Sequence, residues 1–208
     1  MVDYSVYLCT DSAINKNYSV EECVRQAILG GVTIVQVREK NIQTHEFCLI
    51  ASKIKAVTDN YNIPLIINDN IDVALKINAD GIHIGQDDIS CIEARKIFGK
   101  DKIIGVTVTT LDEAKKAIEQ GATYLGVGAI YKSTTKKDAK IVKYEELIKI
   151  LEFSSIPIVV IGGINENTIP NFKNFNIAGY AMIRPILGND NITESVIKLK
   201  KLILSNNI

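Results

Sequence analysis

The sequence predicts a single-domain α/β protein, a (β/α)8 or TIM barrel, and three observations predict it. Eight short β-branched runs alternate with longer amphipathic stretches from one end of the 208-residue chain to the other. Several of these runs are continuously apolar, as parallel strands covered on both faces require. Polar or glycine residues follow most of the runs, and a barrel gathers such strand ends on one face. An open doubly wound sheet shares the alternation but spreads its strand ends along an edge, and no G-x-G-x-x-G follows the first run.

In chain order, strands are expected at residues 7–10, 33–38, 65–68, 81–84, 103–108, 124–128, 158–161 and 180–183. Ile158-Val159-Val160-Ile161 is the plainest doubly covered case. Between the first two, Ser19-Val20-Glu21-Glu22 opens a helix with Val24, Ala27 and Ile28 on one face, and Gly30-Gly31 ends it. His45 starts a surface helix, whereas His83 lies within the fourth strand and reads as a satisfied interior residue rather than a base. Thr110-Leu111-Asp112-Glu113 caps a helix whose apolar face holds Ala114, Ala117 and Ile118. Residues 193–204 repeat Val196, Leu199 and Ile203 in a helical rhythm. No linker interrupts the series, so residues 1–208 are expected to form one catalytic domain.

Composition narrows the function classes. Lys plus Arg and Asp plus Glu number 24 each, so no net field favours a nucleic-acid or membrane partner, and anion binding must be local. No basic start leads into an apolar run, and no stretch approaches the roughly 18 apolar residues of a membrane span. A cytoplasmic protein is expected, with homo-oligomerisation left open. Cys9, Cys23, Cys48 and Cys91 are scattered and read as small buried residues rather than as a disulfide framework or zinc site.

The strand ends carry the chemistry. Arg38-Glu39-Lys40 follows the second strand; two cations at alternate positions can share one side as a pyrophosphate clamp, or form a solvated loop with a local salt bridge. Asn68-Asp69 and Gln86-Asp87-Asp88 end neighbouring strands, so carboxylates can meet over a magnesium ion, a metal that favours few carboxylates, water and phosphate oxygens. Asp69 and Asp88 are the favoured ligands, with Asp87 capping the next helix; capping also explains such residues singly. Ser133-Thr134-Thr135-Lys136-Lys137-Asp138 after the sixth strand is an anion loop or simply a polar one. Gly162-Gly163-Ile164-Asn165 after the seventh admits a phosphate to the backbone and opens a helix whose N-terminus favours anions.

Together, Gln36-Val37-Arg38-Glu39-Lys40, Ile67-Asn68-Asp69, Gly81-Ile82-His83-Ile84-Gly85-Gln86-Asp87-Asp88, Ile104-Gly105-Val106-Thr107, the 133–138 loop and Ile161-Gly162-Gly163-Ile164 resemble thiamine phosphate synthase. The resemblance implies a transferase of thiamine biosynthesis. It joins 4-amino-2-methyl-5-hydroxymethylpyrimidine diphosphate to a hydroxyethylthiazole phosphate, or its carboxylated form, releasing pyrophosphate with magnesium. It implies a dissociative course, in which pyrophosphate leaves, a pyrimidine carbocation forms and the thiazole nitrogen attacks. It assigns Gln36, Val37, Arg38, Glu39, Lys40, Asn68, Thr107 and Lys136 to the pyrimidine diphosphate, with Arg38, Lys40, Thr107 and Lys136 nearest the chemistry. Asp69 and Asp88 take magnesium, and Ser133, Thr134, Thr135, Gly163, Ile183 and Arg184 line the thiazole phosphate site. Departures from the family pattern are Thr107 for serine, Lys132-Ser133 for Pro-Thr, and Arg184 for serine. The competing readings are a thiazole tautomerase, which needs no diphosphate apparatus, and a non-catalytic phosphate-binding barrel.

Overall fold

The computed structural model describes residues 2–40, 42–132 and 140–206. Eight parallel strands, β1 (Val6–Cys9), β2 (Ile34–Val37), β3 (Leu65–Asn68), β4 (Gly81–Ile84), β5 (Ile103–Val108), β6 (Tyr124–Val127), β7 (Ile158–Ile161) and β8 (Gly179–Met182), pair in sequence order. Val6 of β1 pairs with Tyr180 of β8 and closes the ring, as the sequence predicts.

Alternation along each strand builds two cores. Residues at one parity of the strands fill the barrel, Tyr7, Cys9, Ile34, Ile66, Tyr124, Val159 and Ala181, joined by Tyr4 from ahead of β1. Those at the other, such as Val35, Val37, Ile67, Ile82, Val106 and Val160, pack against the helices. Because both faces are covered, the strands carry no polar stripe, and each fully buried Val or Ile contributes about 1.5–3 kcal/mol.

Helices α1 (Val20–Gly30), α2 (Thr44–Asn60), α3 (Ile71–Lys76), α4 (Cys91–Phe98), α5 (Leu111–Glu119) and α6 (Tyr144–Phe153) follow the first six strands. Ser19 caps α1 by accepting from the Glu22 N–H, and Gly31 ends it at φ 107°, a left-handed conformation glycine adopts without penalty. Thr110 and Glu113 form the expected capping box on α5. His45 is exposed in the first turn of α2.

Two expectations are corrected. Asp87 does not cap α4; Ser90 does, in a full capping box with Glu93 that satisfies two terminal N–H groups at once. No α-helix opens at Gly163 either. The segment after β7 makes side-chain turns through Asn165 and Thr168, and its only helical piece is a 3-10 turn, Ile169–Phe172, with Pro170 near its start. Asn side chains compete there for backbone groups that a helix would need. After β8 come a one-turn helix α7 (Arg184–Leu187) and the long α8 (Ile192–Asn206).

All four cysteines are free and buried, and burial pushes the Cys9 thiol up to about 12. The native protein is therefore expected to react with a thiol reagent only as it unfolds, so four thiols titrating rapidly without denaturant would contradict this core. No helix among the described residues is long and apolar enough to cross a membrane.

Candidate active site

Closure of the barrel brings the ends of β1 to β5 into one arc of its rim. After β2 the chain alternates. The Glu39 carboxylate is buried, accepting from Thr10 Oγ1 at 2.7 Å and from the Ser12 N–H at 3.0 Å. Thr10 Oγ1 in turn accepts from the Arg38 N–H at 3.0 Å. Glu39 thus braces the β2 end against the loop after β1. Arg38 is half-buried, and the exposed Lys40 reaches across to β3, its Nζ 2.5 Å from Asp69 Oδ2. Val37 faces the helices, so it offers the rim only main chain.

Asp69 sits just past β3 at φ 62°, a conformation that costs a residue with a Cβ about 1–2 kcal/mol. Its N–H donates to the His83 carbonyl of β4 at 2.9 Å, which holds it there. Asp88 turns back over the β4 end and accepts from the Gly85 N–H at 2.7 Å. The two carboxylates face each other closely enough for each to shift the other's ionisation. Burial opposes charge on Asp69, yet bonds from Lys40 and Asp88 hold its pKa below the usual carboxylate range. Burial pushes Asp88 up, and the neighbouring Asp69 adds to that despite the Gly85 N–H. One carboxylate is ionised and its partner resists ionisation, as like charges in contact must.

That pair suits a hard divalent cation. Among the described residues no group of three or more His, Cys, Asp or Glu could hold a metal, so a cation at this pair would need further ligands from water or substrate. Magnesium in phosphate-transfer sites is held in that manner.

Inside the arc, the inward residues of β1, β2, β4, β5 and β6 join in one hydrogen-bonded chain. Gln36 Nε2 donates to Tyr7 Oη at 2.9 Å, and Tyr7 Oη lies 2.7 Å from Tyr124 Oη. Tyr124 Oη lies 2.7 Å from His83 Nδ1, and His83 Nε2 lies 2.8 Å from Thr107 Oγ1. Two glycines make room for it. A Cβ on Gly105 would stand 2.1 Å from Tyr124 Cζ, and one on Gly126 would stand 2.8 Å from His83 Cε1. Sequence reasoning placed His83 correctly as a satisfied interior histidine but missed Tyr7 and Tyr124. Their signal was tyrosine at inward parity beside inward glycines on neighbouring strands.

The other half of the rim is built from β7 and β8. Gly162 and Gly163 take φ 94° and 66°, and a Cβ on Gly163 would stand 2.6 Å from Tyr131 Cβ, so only glycine lets the two loops meet. Ile183 is half-buried ahead of α7. Arg184 is exposed, and no hydrogen bond or ion pair joins its side chain to another described residue. Asn68, half-buried, ends β3 in register with His83. Ser133, Thr134, Thr135 and Lys136 lie outside the described residues.

Residues 6–186 match the thiamine monophosphate synthase family. The chain is similar to the thiamine-phosphate synthase of Clostridium botulinum (strain Eklund 17B / Type B), 49% identical over 96% of this chain and 94% of that one. It is also similar to the thiamine-phosphate synthase of Clostridium tetani (strain Massachusetts / E88), 50% identical over 93% of each. Among solved structures, thiamine phosphate pyrophosphorylase from Pyrococcus furiosus superposes with a TM-score of 0.89 at 32% identity, covering 100% of this chain and 98% of that one.

Proposed function

We propose a division of labour on the rim from the premise that this chain belongs to the thiamine monophosphate synthase family and acts as a thiamine-phosphate synthase, a transferase. The arc from β2 to β5 holds a pyrimidine diphosphate, and the β6–β8 side holds a thiazole phosphate. The meeting of Lys40, Asp69 and Asp88 from three adjacent strand ends carries this reading.

Arg38 and Lys40 hold diphosphate oxygens, joined by Lys136 from the loop after β6. Gln36, Asn68 and Thr107 orient the pyrimidine, with main chain from Val37, while Glu39 keeps its two cationic neighbours in place. Asp69 and Asp88 hold magnesium, which when bound supplies charge neutralisation for the departing diphosphate. Ser133, Thr134, Thr135, Gly163, Ile183 and Arg184 receive the thiazole phosphate, at the loops where barrels commonly bind phosphate.

In the reaction the bond from the pyrimidine methylene to the diphosphate oxygen breaks, and its electron pair leaves on the oxygen. The thiazole nitrogen then supplies the pair for the new carbon–nitrogen bond. No proton need move at either atom, so the cations and the ordered chain serve by neutralising and orienting rather than as a general base.

A coupled assay with both authentic substrates, with and without magnesium, tests this. Pyrophosphate and thiamine monophosphate should form in equal amounts only when the metal is present; isomerisation of the thiazole phosphate alone would replace this reading with a tautomerase. Arg184→Ser should raise KM for the thiazole substrate about two- to tenfold, as loss of one exposed charge-assisted contact does, and leave the diphosphate KM unchanged. A change confined to the diphosphate would overturn the placement of Arg184.

A further inference from the structure

We infer that Tyr131 is a positioning residue for the thiazole phosphate, holding the Gly162–Gly163 turn so that main-chain N–H groups are presented to the anion. This rests on the placement of that phosphate against Gly163, and it adds a residue that acts through the turn. The turn is held from both sides. The Tyr131 N–H donates to the Gly162 carbonyl at 3.0 Å, and the Ile130 N–H donates to the Ile161 carbonyl at 2.9 Å. The chain beyond β6 therefore runs on beside the end of β7 as far as Tyr131. On the other side, the Gly163 carbonyl accepts from Asn165 Nδ2 at 3.0 Å and from Thr168 Oγ1 at 3.2 Å. Both peptides of the turn are trans, so each N–H points opposite to the carbonyl of its own peptide. With the Gly162 and Gly163 carbonyls drawn back, the Gly163 and Ile164 N–H groups face the other way. Neither donates to another described residue. Successive N–H groups in such a turn make an anion-binding concavity.

The side chain of Tyr131 is what fixes its main chain in this place. Its ring stands edge-on to Phe172, with centroids 6.4 Å apart and planes at 72°. Phe172 is buried and stands edge-on in turn to Tyr180 of β8, 5.8 Å away. Asn171 Nδ2 donates to Tyr131 Oη at 3.0 Å. Tyr131 thus reaches from the loop after β6, past the glycine pair, to the 3-10 turn beyond β7. Since a Cβ on Gly163 would stand 2.6 Å from Tyr131 Cβ, turn and tyrosine are in contact, and one cannot shift without the other. Asn171 is exposed, so water could satisfy either polar group by itself. The bond between them therefore adds direction to the ring more than stability to the fold.

Kinetics and amide NMR of Tyr131→Leu, Tyr131→Phe and Asn171→Ala test this. Tyr131→Leu, which loses both the edge contact and the hydroxyl, should raise KM for thiazole phosphate about tenfold. Its kcat and its diphosphate KM should stay within about twofold of wild type, because only binding of one substrate is touched. Tyr131→Phe keeps the ring and should bring the thiazole KM back to within about threefold of wild type. Asn171→Ala should match it, and the two combined should cost no more than either alone. Equal losses in kcat and in both KM values would mean that Tyr131 only supports the fold, and would overturn the inference. The NMR arm separates the tyrosine from the site it serves. In wild type, added thiazole phosphate should shift the Gly163 and Ile164 N–H signals. In Tyr131→Leu the same shifts should need about ten times more ligand. Wild-type signals that stay in place would remove the phosphate from Gly163, and the inference with it. Shifts at equal concentration in both proteins would leave the phosphate where it is and remove Tyr131 from its binding. Should Tyr131→Leu fold poorly, Tyr131→Phe and Asn171→Ala carry the same titration at their smaller expected factor.

Discussion

Asp69→Asn should reduce the rate of pyrophosphate release by about a hundredfold or more, the scale on which removing one preorganised charge from a transition state acts. Asparagine keeps the shape of the side chain and can adopt the left-handed conformation that Asp69 takes at φ 62°. Fold and loop should therefore survive. The charge beside Lys40 and Asp88 is what is lost, and with it the means of holding a divalent cation. Little stability should go with it, because Lys40 is half exposed and such ion pairs contribute about 0–1 kcal/mol. Steady-state assays at saturating magnesium, alongside thermal melts, separate the two effects. Wild-type turnover in this variant would sink the assignment of the metal.

The second large effect falls on stability. Gly105→Ala should cost about 3 kcal/mol, the upper end for overpacking a close-packed core. The added carbon would lie 2.1 Å from Tyr124 Cζ and 2.3 Å from its oxygen, and Tyr124 is itself packed against the tilted ring of Tyr4 with ring centroids 4.9 Å apart. The ring has nowhere to retreat. For a chain of this length the melting temperature should drop by about 6–12 °C. Activity should fall with it, since the phenol that bonds His83 moves. Urea unfolding reads the loss, and a change under about 0.5 kcal/mol would mean that the barrel interior is looser than its contacts imply.

The fold was almost wholly legible. The expected bounds of β3, β4, β5 and β7 coincide with those observed, because an apolar run flanked by turn residues has few other homes in a doubly covered sheet. The segment after β7 was not legible as drawn. Asn165, Asn167 and Pro170 argue against a regular helix, and the expectation leaned on the glycine pair instead. Asp87 was misread because an acid soon after a strand resembles a cap, although Ser90-Cys91-Ile92-Glu93 carries the fuller capping pattern. At the site, charges on loops could be read from type and spacing, so Lys40, Asp69 and Asp88 were anticipated as a group. Glu39 was not separable from its cationic neighbours by sequence, because its bonds to Thr10 and Ser12 cross between strands. Tyr7 and Tyr124, 117 residues apart, meet only through barrel closure.

The interlock of glycine and ring on β4, β5 and β6 also constrains how such a chain can change. Positions 105 and 124 are not independent, and neither are 126 and 83. A residue larger than glycine becomes tolerable at 105 only after the ring at 124 has shrunk, so the two substitutions are epistatic and their order matters. A lineage that enlarged the glycine first would pass through an unstable intermediate. One that truncated the tyrosine first would keep the barrel but lose the bonds from its phenol to Tyr7 and His83, so each route has a barrier, and the pair should covary or not vary at all.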